Sequence, residues 1–246
     1  MSGLTFVWAH DLLSSVDHEN VVGVFDWRCA EDTAQVVRYD ARGHGSGMVQ
    51  YVDRAYRWSA LVDDMLRMAG DGPFVAGGCG MGAATALLAA ACAPRRLAAL
   101  VLAAPPAGWQ WRDEKAAQYE ELAHAVALKG AVTLAERWPV VGQPEFLLDG
   151  FSGPAELITR HLFAMDPRAL PYILRGAAAS DLPDQDQVHE IIVPTLILSW
   201  TGDAGHPVPV AQELSSLMIQ NELHLADSRD DLAKWPALVR DFLAGV

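Results

Sequence analysis

The chain has 246 residues, 51% of them apolar, and a formal net charge of −13. That length suits one α/β domain with an inserted subdomain and a sizeable core. The acidic balance argues against nucleic acid and anionic membranes as partners, and no run of about 18 apolar residues is present to span a bilayer. Cys29, Cys79 and Cys92 are an odd number without metal-like spacing, which suits a reducing compartment. The N-terminus enters the strand-like run Leu4–Trp8 without a basic flank. The expectation is a cytoplasmic protein.

Taken in chain order, six short apolar runs read as strands: Thr5–Ala9, Gln35–Tyr39, Phe74–Gly77, Ala98–Ala103, Thr195–Trp200 and Glu222–Ala226. Helical periodicity separates most of them, over Trp58–Met68, Met81–Cys92, Val208–Met218 and Asp231–Leu243. Such alternation predicts an α/β fold with a mostly parallel sheet flanked by helices. The alternation breaks between Pro105 and about Pro183, where helical patterns (Glu114–Lys129, Ala131–Trp138, Pro154–Met165, Pro167–Gly176) follow one another. The predicted organisation is a core of residues 1–104 and 185–246 with a helical cap, 105–184, over the C-terminal edge of the sheet. Ligands bind at that edge in open parallel sheets.

The run Phe74-Val-Ala-Gly-Gly-Cys-Gly-Met-Gly-Ala-Ala-Thr reads as a strand, a sharp glycine-rich turn and a helix. This is the pattern small-x-nucleophile-x-small, which sets a reactive side chain on a strained bend. Gly78 and Gly82 are the flanking small residues, and the nucleophile position is Gly80. Glycine adopts the positive φ of such a bend freely. The change thus removes the reactive group and relieves strain together.

Several further stretches match a known pattern in order: Trp8-Ala-His-Asp-Leu-Leu-Ser-Ser15, Arg38-Tyr-Asp-Ala-Arg-Gly-His-Gly-Ser46, Ala90–Leu102 and Pro194-Thr-Leu-Ile-Leu-Ser-Trp-Thr-Gly-Asp203. Over nearly its whole length the chain resembles the α/β-hydrolase superfamily, in its esterase and lactonase branch. The resemblance implies an α/β-hydrolase fold with an oxyanion loop after the first strand. It places His10, Leu12 and Met81 at the oxyanion corner and Asp203 as the acid that orients a histidine. It also implies departures: Gly80 for the nucleophile, Asp11 for the oxyanion-loop glycine, and no histidine in Asp227–Asp231 after the last strand.

The candidate catalytic groups are therefore Asp11, His206, Asp203 and Cys79. Asp11 either opposes an oxyanion or, buried, acts as a general acid or base. His206, three residues after Asp203, either serves as the base or shapes the loop with Pro207. Cys79 either packs or attacks. His44 reads as a loop staple and His224 as a sheet residue. Trp109, Trp111, Phe25 and Trp138 are candidate pocket walls for an apolar ligand.

No dinucleotide or phosphate-loop motif and no metal-ligand spacing is present, so no cofactor and no metal is expected. The leading expectation is an enzyme of the repurposed cyclase, lyase or isomerase type. It would act on a small, largely apolar substrate by non-covalent acid/base chemistry, in specialised metabolism, as a monomer or homodimer. The alternatives are an ester or lactone hydrolase using activated water or Cys79, and a non-catalytic small-molecule binding protein.

Overall fold

The computed structural model describes residues 4–137, 146 and 160–246. Six strands form one sheet: β1 (Leu4–Ala9), β2 (Ala34–Tyr39), β3 (Phe74–Cys79), β4 (Leu97–Ala103), β5 (Thr195–Trp200) and β6 (Asn221–Ala226). Their order is β2-β1-β3-β4-β5-β6, and every pair is parallel. Each predicted strand is present, within two residues at either end.

The apolar runs follow from this topology, because a parallel sheet is covered on both faces. Phe74, Ala76, Leu100 and Leu102 pack on one face with α2 (Trp58–Ala69) and α3 (Met81–Cys92). Phe6, Trp8, Val75, Cys79 and Val101 pack on the other. The chain winds outward from β1 to β2, then returns to place β3 on the other flank of β1. This reversal opens a crevice at the carboxyl ends of β1 and β3, where parallel sheets hold ligands. Residues 10–13 and the bend at Gly80 lie at that crevice.

Two glycines let α3 come close enough to shape the crevice. A Cβ on Gly78 would stand 2.6 Å from both the Ala9 carbonyl oxygen and the Gly82 Cα. A Cβ on Gly82 would overlap the Ala9 carbonyl.

Between β4 and β5 lie α4 (Arg112–Lys129), α5 (Val132–Arg137), helical residues 160–164, α6 (Leu170–Ala178) and α7 (Gln185–His189). α4 packs against α6 and α5. His161 from this stretch meets the Leu13 carbonyl after β1, and Lys115 of α4 meets the loop after β5. Trp138 and residues 154–159 of the predicted helix Pro154–Met165 lie outside the described residues.

Three details differ from the sequence pattern. The predicted helix Asp231–Leu243 is two helices, α9 (Arg229–Leu232) and α10 (Trp235–Ala244), with α8 (Val208–Leu217) before β6. Ser228 caps the first of the two, and Pro236 sits in the first turn of the second, where its missing N–H costs nothing. The helix expected from Pro167 starts at Leu170, because Asp166 bonds the Arg168 N–H in a turn first. A short helix, α1 (Val16–Val22), was not legible; Ser15 caps it through the His18 N–H. Among the described residues no helix is long and apolar enough to cross a membrane.

Gly82→Ala is expected to lower the free energy of unfolding by about 1–3 kcal/mol, the usual cost of overpacking. Urea denaturation midpoints measure this, and an unchanged midpoint would contradict the close α3–β1 approach.

Candidate active site

The bend after β3 has the backbone of an elbow, with Gly80 at φ 51° and ψ −111°. The space its side chain would fill is already taken. A Cβ built on Gly80 would overlap the Asp11 carboxylate outright and stand 2.8 Å from His206 Nε2. Asp11 Oδ1 accepts hydrogen bonds from the Leu12 N–H (2.6 Å) and the Met81 N–H (2.9 Å). These are the two backbone donors of the corner where the resemblance placed an oxyanion site. Asp11 Oδ2 lies 3.3 Å from His206 Nε2.

Behind the imidazole, His206 Nδ1 lies 2.8 Å from Asp203 Oδ2. Asp203 is held from several sides. Its Oδ2 also accepts from Trp200 Nε1 at 2.8 Å, and its Oδ1 accepts from the Gly205 N–H (2.7 Å) and the His206 N–H (3.3 Å). Trp200 is in turn stacked on Trp235, with centroids 5.7 Å apart and planes within 3°. Asp11, His206 and Asp203 thus form one line: carboxylate, imidazole, carboxylate.

The electrostatics follow. Burial disfavours the charged imidazole, but the Asp203 and Asp11 carboxylates overcome it and raise the His206 pKa to about 10. Burial works against the Asp203 carboxylate, yet His206, Trp200 and the Gly205 N–H hold its pKa below the usual value. Near neutral pH the imidazole is therefore protonated. Its side chain is 12% exposed, that of Asp203 is sealed, and that of Asp11 is 22% exposed, so Asp11 is the group most open to an incoming molecule.

Two other histidines build the corner. His10 joins its own loop to the next: Nε2 accepts from the Ala41 N–H at 3.0 Å, and Nδ1 is 2.7 Å from the Asp11 carbonyl. His44 does the same, accepting from the Leu13 N–H at 3.1 Å and bonding the Arg42 carbonyl at 2.8 Å. Burial lowers the pKa of both, that of His44 to about 3, so both stay neutral and able to accept these N–H groups. His10 is thus a staple behind the pocket. Leu13 has φ 57°, a strained value for a side-chain-bearing residue, and the His44 and His161 contacts pin it there.

Other candidates are not brought together here. Cys79 is 2% exposed and packs on the opposite face with Phe6 and Trp8; burial pushes its thiol well above the usual range. Phe25 lies on that face too, against Trp8, Trp27, Trp200 and Trp235. β-strand alternation sends residue 79 to that face. Trp109 and Trp111 are partly buried against the cluster that includes α3 and α4, and Trp109 Nε1 bonds the Pro183 carbonyl at 2.8 Å. His224 pairs with Glu222 at 3.6 Å on β6, away from the line.

The structure adds one group the sequence did not single out. Lys115 is 5% exposed, and its Nζ is 3.5 Å from where a Cβ on Gly205 would stand and 3.3 Å from Gln118 Oε1. Burial lowers its pKa. The available signal was periodicity: Lys115 shares a helix face with the buried Tyr119, Leu122 and Val126. Among the described residues no cluster of His, Cys, Asp or Glu is arranged to hold a metal ion.

A sequence profile described as the alpha/beta hydrolase family matches residues 6–239. The chain belongs to the alpha/beta hydrolase family. Among solved structures, this alpha/beta hydrolase is similar to a thermophilic esterase from Thermogutta terrifontis (21% identity, TM-score 0.75, covering 99% of this chain and 88% of that one). It is also similar to the enol-lactonase from Burkholderia xenovorans LB400 (19% identity, TM-score 0.76, 99% and 92% covered). At these identities the likeness speaks for the fold alone. No curated protein matches the sequence.

Two outcomes follow from the geometry. Gly80→Ser alone should destabilise the alpha/beta hydrolase by about 1–3 kcal/mol, through overlap and backbone strain. Adding Asp11→Gly should recover most of that loss, and additive effects in this double-mutant cycle would contradict the shared space. The second concerns pH. A histidine pKa raised from 6.5 to about 10 stabilises the fold fully below pH 6.5, and this contribution is lost as pH rises through about 10. The difference in Tm between wild type and His206→Gln should therefore shrink across that window.

Proposed function

We propose that this alpha/beta hydrolase hydrolyses a small ester or lactone without an elbow nucleophile, at a centre made of Asp11, His206 and Asp203. The observation that carries the reading is the Asp11 carboxylate set 3.3 Å from the imidazole, in the space Gly80 leaves. Asp11 takes a proton from a water held against its Oδ2. His206, protonated near neutral pH, gives its proton to the departing oxygen. Asp203 orients the imidazole through Nδ1 and stabilises its charge. The described residues between β4 and β5, 105–137 and 160–184, serve as a cap that shields this chemistry from bulk water. Ester and lactone hydrolysis is also the activity named for two of the solved structures that share this fold, the esterase and the enol-lactonase.

A second reading is proton transfer without hydrolysis: cyclisation, elimination, isomerisation or a lyase step. The position of Asp11 Oδ1 favours it, because that oxygen occupies both backbone N–H donors a carbonyl oxyanion would use. The carboxylate and the imidazolium side by side then act as base and acid on one substrate.

The test is turnover of a panel of p-nitrophenyl esters and simple lactones. Asp11→Asn is expected to lower kcat by about a hundred- to ten-thousand-fold. Activity should fall as pH rises through about 10, as His206 loses its proton, with no loss on acidification through pH 6.5. Full activity in Asp11→Asn, or a rate that grows as His206 deprotonates, would overturn the assignment. Product from a lactone that is rearranged rather than opened would favour the second reading.

A further inference from the structure

We infer that Lys115 is a catalytic residue of this centre: its ammonium group stabilises the negative charge that forms on the carbonyl oxygen of an ester or lactone as water adds to it. The inference rests on the reading that Asp11, His206 and Asp203 hydrolyse such a substrate, and it supplies the electrostatic partner that reading lacks.

The need arises from Asp11. Addition of water to an acyl carbon moves negative charge onto the carbonyl oxygen, which preorganised donors must meet. The Leu12 and Met81 N–H groups at this corner both donate to Asp11 Oδ1 instead. His206 is committed as well: Nδ1 is tied to Asp203, and the Nε2 proton goes to the departing oxygen. The oxyanion therefore needs another cation.

Among the described residues two Lys or Arg side chains are buried, Arg112 and Lys115, both on α4. Arg112 serves the fold. It donates to the Ala107 and Ala177 carbonyls and lies over the Trp58 ring, 4.5 Å from its centroid. Lys115 faces the turn that holds the centre. Its Nζ is 3.5 Å from where a Cβ on Gly205 would stand, and that same point is 3.1 Å from Asp203 Oδ1. Glycine at 205 thus leaves room for the ammonium beside the turn. The turn is fixed, because the Gly205 N–H donates to Asp203 and its carbonyl accepts from the Ala107 N–H at 2.9 Å. On α4, Nζ donates to Gln118 Oε1 at 3.3 Å and lies 5.7 Å from the centroid of the Tyr119 ring. Burial opposes the charge on Lys115, while Asp203 and Asp11 support it. The same two carboxylates act on Tyr119, one turn along, so this face of α4 looks onto the centre. A cation is costly to bury, and a fixed charge in a dry site acts more strongly on a developing oxyanion than one in water.

The steps balance. The water oxygen bonds to the acyl carbon as one of its protons passes to Asp11 Oδ2, and the carbonyl π pair moves onto the oxygen that faces Lys115. That pair returns as the bond to the alkoxy oxygen breaks, and this oxygen takes the His206 proton. The proton on Asp11 then passes to His206 Nε2, 3.3 Å away, which restores carboxylate and imidazolium. Lys115 keeps its protons throughout. The net reaction is ester plus water to acid plus alcohol.

The experiment compares the whole wild-type protein with Lys115→Met, using three probes. Methyl pentanoate is the substrate, the methyl butylphosphonate monoanion imitates its charged intermediate, and N-methylpentanamide imitates the neutral ester. The variant should lose about a hundred- to a thousand-fold in kcat with little change in KM. By calorimetry its affinity for the phosphonate should fall about tenfold or more while that for the amide stays unchanged. An unchanged kcat, or equal losses for phosphonate and amide, overturns the inference. Lys115→Gln, also uncharged, carries the same comparison if the Tm of Lys115→Met shows it unfolded. Asp11→Asn judges the parent reading separately: if it loses ester turnover while both Lys115 variants keep it, the role of Lys115 falls and the acid/base centre stands. If wild type hydrolyses no ester or lactone, both fall.

Discussion

The structure of the site depends on one contact: the Asp11 carboxylate reaching across the crevice into the space that Gly80 leaves empty. It joins β1 to α3 through the Leu12 and Met81 N–H groups and gives His206 a second negative neighbour. Either residue alone would be a defect. An aspartate in the oxyanion loop opposes charge on a substrate oxygen, and a glycine at the elbow removes the reactive group. Together they put a carboxylate at the point where the fold normally presents a nucleophile.

The rest of the architecture holds that contact in place. Gly78 and Gly82 let α3 sit against the Ala9 carbonyl, which sets the distance between the two walls of the crevice. His10 and His44 tie the loop after β1 to residues 41–42, each using one ring nitrogen as acceptor for a backbone N–H. On the far side, Trp200 carries Asp203 on the stacked indole of Trp235. The charged line is thus backed by neutral, buried groups on both flanks, where a low dielectric strengthens its interactions.

Much of this was legible in particular residues. The alternation of short apolar runs with helical periodicity predicted the parallel sheet, because burial on both faces leaves a continuous apolar signature. Asp203 and His206 could be paired from a separation of three residues, which a tight turn brings within reach. Cys79 and Phe25 were harder. Both stand next to site residues in sequence, but the two-residue repeat of β3 turns Cys79 to the opposite face, and Phe25 joins the tryptophans there. Lys115 was hidden because a cation in a helical pattern reads as solvent-facing unless its whole face is followed to Tyr119 and Val126.

The amino-acid sequence by itself determined the fold, the order of the loops around the crevice and the missing side chain at residue 80. These are properties of local periodicity and of which residue tolerates a positive φ. Only the tertiary structure decided that Asp11 fills that gap and that His206 is clamped between two carboxylates. Those are distances between segments far apart in the chain, set by how β1, α3 and the loop after β5 pack together.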